Sequence, residues 1–491
     1  MARFLPAQIK LWTEGTLLQP SENQKSSEHF YRGISTDTRK LRKGEIFLAL
    51  KGERFDGHDF IDQAAEKGSS LLIMEENSDV AARYQKRLKK EDQGPDLLLV
   101  PDTLQAYQRI ASGYRQTLLA SVVAITGSVG KTTTRRMVET ALSSQAKTHE
   151  TADNENNLIG LPLTMLQADD DDDVVVAELG MDRKGEIATL SQISKPDIAI
   201  VTSIGYSHAE YLGSREDILK EKMDIVQGLK PNGLLLINGQ DESLRKWVLE
   251  NKTKHSVWAI CNASCSQYME DVSIPRFWAE DIKLSPQGTE FVAKTSLDPK
   301  MKVKIYIPQP GKFLVRAALF GIATAYALGM DVELAAKACE GFKNTGARQA
   351  ILELGPWLVI DDSYNASPES IMTALDTLDM LAEGRGRKIL CLGGARELGK
   401  YEEELHLEIG KKIARFAPDR VYLVGDECRY VEQALKEEGA SMPIIMAKEV
   451  TEIRDNFMAH LEKNDVVLLK GSRYYEMERL RGEMESALAG K

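Results

Sequence analysis

The sequence predicts an α/β protein of three domains whose sheets are mostly parallel. Three observations carry that expectation. From about residue 120, short and continuously apolar β-branched runs alternate with amphipathic stretches, the pattern of strands covered by helices on both faces. A second series of the same kind begins near residue 358. Finally, 491 residues suit about three domains at roughly 150 residues each, every one long enough to bury its own core.

Taken in order, residues 1–118 read as a smaller α/β unit rich in polar turns. SVVAIT (Ser121–Thr126) then reads as a buried strand, and the stretch from Gly130 to about Ala146 as a helix. VVVAEL (Val174–Leu179), IAIVTS (Ile198–Ser203) and LLLI (Leu234–Ile237) continue the sheet. Between about 255 and 310 the alternation of TEFVAK (Thr289–Lys294) and MKVKIYIP (Met301–Pro308) predicts antiparallel strands, and helices follow from Gly311 to about Phe342. The second series comprises LVIDD (Leu358–Asp362), KILCLGG (Lys388–Gly394), VYLVG (Val421–Gly425) and DVVLLKG (Asp465–Gly471). The expected domains are 1–118, 119–345 and 346–491, with Asn344-Thr345-Gly346 as a hinge at the second junction.

Composition narrows the function. Apolar residues make up 43% and charged residues 28%, which excludes wholesale disorder, and the net charge of −11 gives no global reason to coat nucleic acid or an anionic bilayer. Lys10 and Glu14 interrupt the N-terminus too early for a secretory signal. The longest quasi-apolar run, Ala317 to Met330, is shorter than the ~20 residues of a membrane span. Five cysteines at 261, 265, 339, 391 and 428, odd in number and without paired spacing, point to a reducing compartment and against a disulfide framework or a zinc site. A cytoplasmic protein is expected. The five consecutive aspartates Asp169–Asp173 read as a solvated loop.

The sharpest local signal is TGSVGKTTT (Thr126–Thr134), which follows a buried strand and opens a helix. Gly127 and Gly130 let backbone N–H groups of Ser128, Val129 and the helix start close around phosphate oxygens, and the helix N-terminus favours negative charge. Lys131 can reach the β- and γ-phosphates, Thr132 can ligate Mg²⁺, and Thr133 completes the loop. Two residues rather than four separate the glycines, so the loop is a short variant of an ATP site. Mg²⁺ needs further oxygen ligands near the mouths of neighbouring strands. Glu178 ends VVVAEL, and His208 lies just past IAIVTS, where ligands of α/β sheets bind; a structural role for His208 is equally open on these grounds.

These motifs, in order, resemble one family. STDTRKLRKGEIFLALKGERFDGHDF (Ser35–Phe60) precedes TGSVGKTTT, then NENNLIGLPLTML (Asn154–Leu166), AELGMDRKGEI (Ala177–Ile187) and GYSHAEYLGS (Gly205–Ser214). GAR (Gly346–Arg348), DDSYNASPES (Asp361–Ser370) and KGSR (Lys470–Arg473) complete the series. The chain resembles the Mur ligases, and most closely their dipeptide-adding branch. DSYNASP stands where the branch that adds the third amino acid tends to carry DYAHTP, KGSR stands for its KGHE, and its DNPR motif is missing. Folylpolyglutamate synthases, a related alternative, lack the N-terminal STDTRK segment; a nucleotide-binding regulator without transfer activity would not need the retained ligand set.

The resemblance implies a UDP-sugar domain, a central ATPase and a C-terminal Rossmann-like domain. It implies that ATP phosphorylates the terminal carboxylate of UDP-MurNAc-tripeptide and that D-Ala-D-Ala then displaces phosphate. The implied cofactors are ATP and Mg²⁺, and the partners are small molecules rather than nucleic acid or membrane, acting on a monomer. By the same resemblance Thr132 and Glu178 hold one Mg²⁺, and His208 and a carbamylated Lys222 hold another. Lys131, Lys222, His208 and Arg348 would be catalytic. Asn157, Arg348, Asp362 and Asn365 would meet ATP, with Tyr364 beside them. Ser35, Thr36, Asp37, Thr38 and Arg39 would meet the UDP-sugar, and Lys470 the substrate or phosphates. Three segments depart from the pattern: Val129 replaces the usual Asn, GMDRKGEI replaces an ANHPGEI-like run, and GGARELG (Gly393–Gly399) replaces a GDMxELG-like loop. The last leaves acceptor choice the least determined feature.

Overall fold

A computed structural model of the chain describes residues 2–19, 30–52, 54–88, 90, 94–251, 253–262, 274–344 and 346–489. Three sheets of five or more strands follow one another along the sequence, and a two-stranded antiparallel ribbon pairs Arg3–Phe4 with Tyr31–Arg32 near the N-terminus. The first contains β1 (Thr16–Leu18), β2 (Ile34–Ser35), β3 (Ile46–Leu48), β4 (Leu71–Glu75) and β5 (Asp96–Val100) in the order β1-β5-β4-β3-β2. Only β1 runs antiparallel to its neighbour. A helix over Thr103–Arg115 then docks this unit onto the next: the buried Arg115 guanidinium donates to Ser194 O (2.8 Å) and pairs with Asp197 (3.0 Å).

The central sheet has nine strands. They are β6 (Ser121–Thr126), β7 (Thr148–Glu150), β8 (Val174–Glu178), β9 (Ile198–Val201), β10 (Leu234–Asn238), β11 (Ser256–Cys261), β12 (Arg276–Ser285), β13 (Gly288–Thr295) and β14 (Val303–Ile307). Their order is β14-β13-β12-β11-β10-β9-β6-β8-β7. The chain leaves β6 toward β8 on one side and reaches β9 on the other, so a topological switch point lies at the C-terminal end of β6, where open α/β sheets bind ligands. The antiparallel region is smaller than the alternation predicted. β11 pairs in parallel with both β10 and β12, and only β12, β13 and β14 are antiparallel. The β11 residues are mostly buried, so this strand continues the parallel core rather than opening the meander.

In the third sheet β15 (Ala350–Leu354), β16 (Trp357–Asp362), β17 (Lys388–Gly393), β18 (Arg420–Val424), β19 (Ile444–Ala447) and β20 (Val466–Lys470) lie in the order β15-β16-β20-β17-β18-β19. Strand β15 forms a hairpin on β16 that the sequence reading missed, and the rest is parallel. Between Asp169 and Asp173 the chain makes a loop held by Lys147, which pairs with Asp171 (2.5 Å) and Asp172 (3.2 Å). Among the cysteines expected to be reduced, Cys339, Cys391 and Cys428 are free and buried, whereas Cys261 is disulfide-bonded. An odd cysteine count is compatible with one such bond, so composition could not exclude it. Cys265 and Thr345 lie outside the described residues. No helix among the described residues is long and apolar enough to cross a membrane.

Candidate functional site

Strand β6 delivers the chain into the glycine loop, and the helix α1 (Lys131–Leu142) leaves it. Gly127 has φ 147°, and a Cβ there would stand 2.0 Å from Thr202 Oγ1. Gly130, with φ 87°, is the residue that turns the chain into the helix. The segment after β9 braces the loop from behind. Ser128 N donates to Ser203 O (2.9 Å), Val129 N to Ser203 Oγ (3.1 Å), and Gly205 N to Ser128 Oγ (2.8 Å). Lys131 folds back so that its ammonium donates to Gly127 O (2.8 Å). Burial pulls the Lys131 pKa below the ordinary lysine range, opposed by Glu178 and reinforced by Arg348.

Beside the loop, the last residue of β8 presents its carboxylate. Glu178 is buried; its Oε1 accepts from Asn156 Nδ2 (2.9 Å), and its Oε2 lies 3.4 Å from Arg135 Nε without a hydrogen bond. A buried carboxylate oxygen with no hydrogen bond, near the Thr132 hydroxyl in one cavity, fits a hard divalent cation that also takes phosphate oxygens. His208 has φ 65° just before the short helix Ala209–Leu212, and its Nδ1 lies 2.8 Å from Glu397 Oε2 and 3.7 Å from Asp182 Oδ1. This pairing holds the Glu397 carboxyl below its usual range. Lys222, on the helix α2 (Arg215–Met223), is 1% exposed, with no ion pair among the described residues. Burial first, and then the Lys131 charge, push its amine well below the usual pKa. No group of three or more His, Cys, Asp or Glu side chains among the described residues could by itself hold a metal.

The third sheet supplies the opposite wall from the C-terminal ends of β16 and β20. Lys470, 1% exposed, places Nζ 2.8 Å from Asp362 Oδ2 and donates to Asn365 O (2.9 Å). The Arg348 guanidinium lies 3.9 Å from the centre of the Tyr364 ring, a cation–π contact. Further contacts join this sheet to the central one. Tyr206 N donates to Glu369 Oε1 (3.1 Å), Glu210 N to Glu397 O (2.9 Å), and the rings of Tyr206 and Tyr401 lie 5.0 Å apart.

One cavity of about 400 Å³ therefore brings together Ser128, Val129, Gly130, Lys131, Thr132, Thr133, Glu178, His208, Arg348, Asp362, Asn365 and Lys470. Gly127 contributes backbone behind the loop. Lys222 is not among the lining residues, and neither is Asn157. The Asn157 side chain instead accepts from Ile159 N (3.1 Å) and Gly160 N (2.9 Å), capping the following helix, and the neighbouring Asn156 takes the place at the cavity. Ser35, Thr36, Asp37, Thr38 and Arg39 lie apart from it, at the end of β2. There Ser35 Oγ donates to Asp37 O (2.9 Å), Thr38 Oγ1 to Gln63 Oε1 (2.5 Å), and Arg39 grips Asp37 strongly enough to hold its carboxyl at about 2. Sequence reasoning missed Asn156, Asp182, Phe313, Arg316 and Glu397. Only Arg316 carried a readable signal, as an ionisable residue near the start of an otherwise apolar helix.

Family profiles described as "Mur ligase family, catalytic domain", "Mur ligase middle domain" and "Mur ligase, glutamate ligase domain" match residues 30–115, 125–325 and 348–473. The chain is 35% identical to the UDP-N-acetylmuramoyl-tripeptide–D-alanyl-D-alanine ligase of Bacillus subtilis, over 95% of each chain. It is 32% identical to the Escherichia coli protein of the same name, over 91% of this chain and 92% of that one. Among solved structures, a crystal structure of MurF from Acinetobacter baumannii superposes with a TM-score of 0.84 at 27% identity, covering 99% of each chain. MurF from Thermotoga maritima in complex with ADP gives 0.77 at 26% identity, covering 94% of this chain and 98% of that one. A chain matched by these profiles over most of its length, and by relatives at this identity over nearly all of theirs, belongs to the Mur ligase family.

Proposed function

We propose that the chain is the ATP-dependent ligase that joins D-alanyl-D-alanine to UDP-N-acetylmuramoyl-tripeptide, giving UDP-MurNAc-pentapeptide, ADP and phosphate in peptidoglycan precursor synthesis. The observation that carries this reading is the single cavity shared by the phosphate loop of β6 and the ends of β16 and β20. Domain limits near 118 and 345 suit the three sheets. The Ser35–Arg39 turn would take the uridine diphosphate through hydroxyls and backbone N–H groups, since Arg39 is already engaged by Asp37.

In the first step a carboxylate oxygen of the tripeptide attacks the γ-phosphorus of ATP as the bond to ADP breaks. Two anions meet there, so stabilisation of charge matters more than any one acid or base. The Lys131 ammonium and the Arg348 guanidinium supply it, and the Tyr364 ring orients Arg348. Thr132 and Glu178 would hold a Mg²⁺, which supplies further positive charge at the phosphates when bound. Asp362, Asn365 and Lys470 contact the nucleotide and substrate from the other wall. In the second step the dipeptide amine attacks the acyl carbon, loses a proton, and phosphate leaves. Burial shifts the Lys222 amine toward its neutral form, the form that adds CO₂ and releases a proton to become an anionic oxygen ligand. With His208 it would complete a second Mg²⁺ site once His208 parts from Glu397.

The test is phosphate release from ATP and UDP-MurNAc-tripeptide with D-Ala-D-Ala present or omitted, alongside a panel of single amino acids. Release that depends on the dipeptide is expected. Release driven equally by a single amino acid would overturn the assignment of the acceptor.

A further inference from the structure

We propose that Arg316 is a nucleotide-binding residue whose guanidinium donates to the ATP held in the cavity. The proposal rests on reading the glycine loop as the ATP site. Arg316 lies in the second turn of the helix α3 (Lys312–Ala327), where every residue from Leu314 to Ala325 is buried except Arg316 itself, which is half-buried and opens onto the cavity. Lys312 at its start is the other charged residue of this helix. Partial burial on so apolar an element costs a guanidinium some of its hydration, which an ion pair or a bound anion would restore. Among the described residues Arg316 has no side-chain hydrogen bond and no ion pair. The acidic group whose field it feels, Asp241, is already engaged: its Oδ2 accepts from Ile204 N (2.8 Å) and its Oδ1 from Ser243 N (3.0 Å).

Position gives this unpaired cation its ligand. Arg316 lines the same cavity as Lys131, Thr132 and Glu178. Phe313, Arg316 and Ala317 share one helix face by their spacing, and all three line that cavity. The face is built in place. Gly311 has φ 153°, and a Cβ there would lie 2.3 Å from Phe313 Cε1, so only glycine lets the ring fold against the helix start. Helix α3 is also seated directly on the phosphate-loop helix. A Cβ at Gly321 would meet Ala141 Cβ at 3.1 Å and Met137 O at 3.2 Å, so the two helices approach as closely as a glycine permits. The backbone of α3 at Arg316 is therefore held against the helix that carries Thr132 and Thr133. A planar fork of five donors on this wall suits a polyanionic nucleotide.

The experiment is titration calorimetry of Mg-ADP into the full-length wild-type protein and into the Arg316→Ala, Arg316→Gln and Arg316→Lys variants, with melting curves as a check on folding. Loss of one charge-assisted hydrogen bond should weaken ADP roughly tenfold or more in Arg316→Ala and Arg316→Gln, with partial recovery in Arg316→Lys. In steady-state assays KM for ATP should rise while KM for UDP-MurNAc-tripeptide stays unchanged. Wild-type ADP affinity in folded Arg316→Gln overturns the proposal, and so does a rise confined to KM for the UDP-sugar peptide. Failure of the wild-type protein to bind ADP at all would instead overturn the reading of the glycine loop, and this proposal with it.

Discussion

Replacing Lys470 with Met should destabilise the third sheet far more than an ordinary surface substitution. Lys470 is 1% exposed and Asp362 8%, and their charged atoms are 2.8 Å apart. Methionine keeps the length of the side chain but leaves the Asp362 carboxylate with Gln349 N (3.1 Å) as its remaining direct partner and Arg348 as a more distant charge. Breaking one side of a buried pair costs about 3–5 kcal/mol. The sign of the pH dependence follows from Asp362. Its folded pKa is raised by burial even beside Lys470. The folded state therefore binds more protons than the unfolded state above the unfolded value of about 3.9, and stability falls as pH rises through the folded value. Without Lys470 that value rises further, so the penalty should be largest at alkaline pH and shrink as the pH falls. Hydrogen exchange of β16 and β20 in a urea series reads the local stability, which a multi-sheet protein does not report through a single midpoint. The double variant Lys470→Met/Asp362→Asn should regain most of the loss in stability. A cost below about 1 kcal/mol at pH 8, or one independent of pH, would refute the reasoning.

Gly127→Ala must displace Thr202, because its Cβ would lie 2.0 Å from Thr202 Oγ1 at a φ of 147°, and ADP affinity should fall on the order of tenfold or more by calorimetry; unchanged affinity would mean the loop does not close around phosphate. Lys222→Met should abolish turnover and alter the alkaline stability profile. The wild-type amine titrates below its unfolded value of about 10.4, so wild-type stability rises with pH through the interval between the two values. The variant should lose that rise, and thermal melts that keep the same slope in both proteins would count against a neutral buried amine.

Much of the architecture was legible in the chain because it depends on local chemistry. Continuous apolar runs located β6, β8, β9, β10, β16, β17, β18 and β20 to within a residue or two, since a strand buried on both faces has no polar register to disguise it. The phosphate loop was equally legible, because glycines, a lysine and a helix start must be contiguous to cradle phosphate. Glu178 could be nominated because it ends a strand, and strand ends converge in a parallel sheet; Asp362 and Lys470, nominated through the family resemblance, also end strands.

Tertiary structure decided the rest. Asn156 and Asn157 are adjacent in an Asn-rich turn, and only the register of the helix cap turns one to the cavity and the other to backbone N–H groups. The parallel pairing of β11 depends on which strands lie beside it, which alternation does not encode. Glu397 reaches His208 because two sheets meet, and Arg316 reaches the nucleotide cavity because α3 rests against α1. Lys222 reads as an ordinary lysine of an amphipathic helix, yet lies fully buried. Sequence by itself determined what is local and periodic: the strands, the glycine loop, the groups at strand ends. Burial, and the apposition of side chains more than a hundred residues apart, are set by how the elements pack, and they alone decide which charges go unpaired and so remain free to meet a ligand.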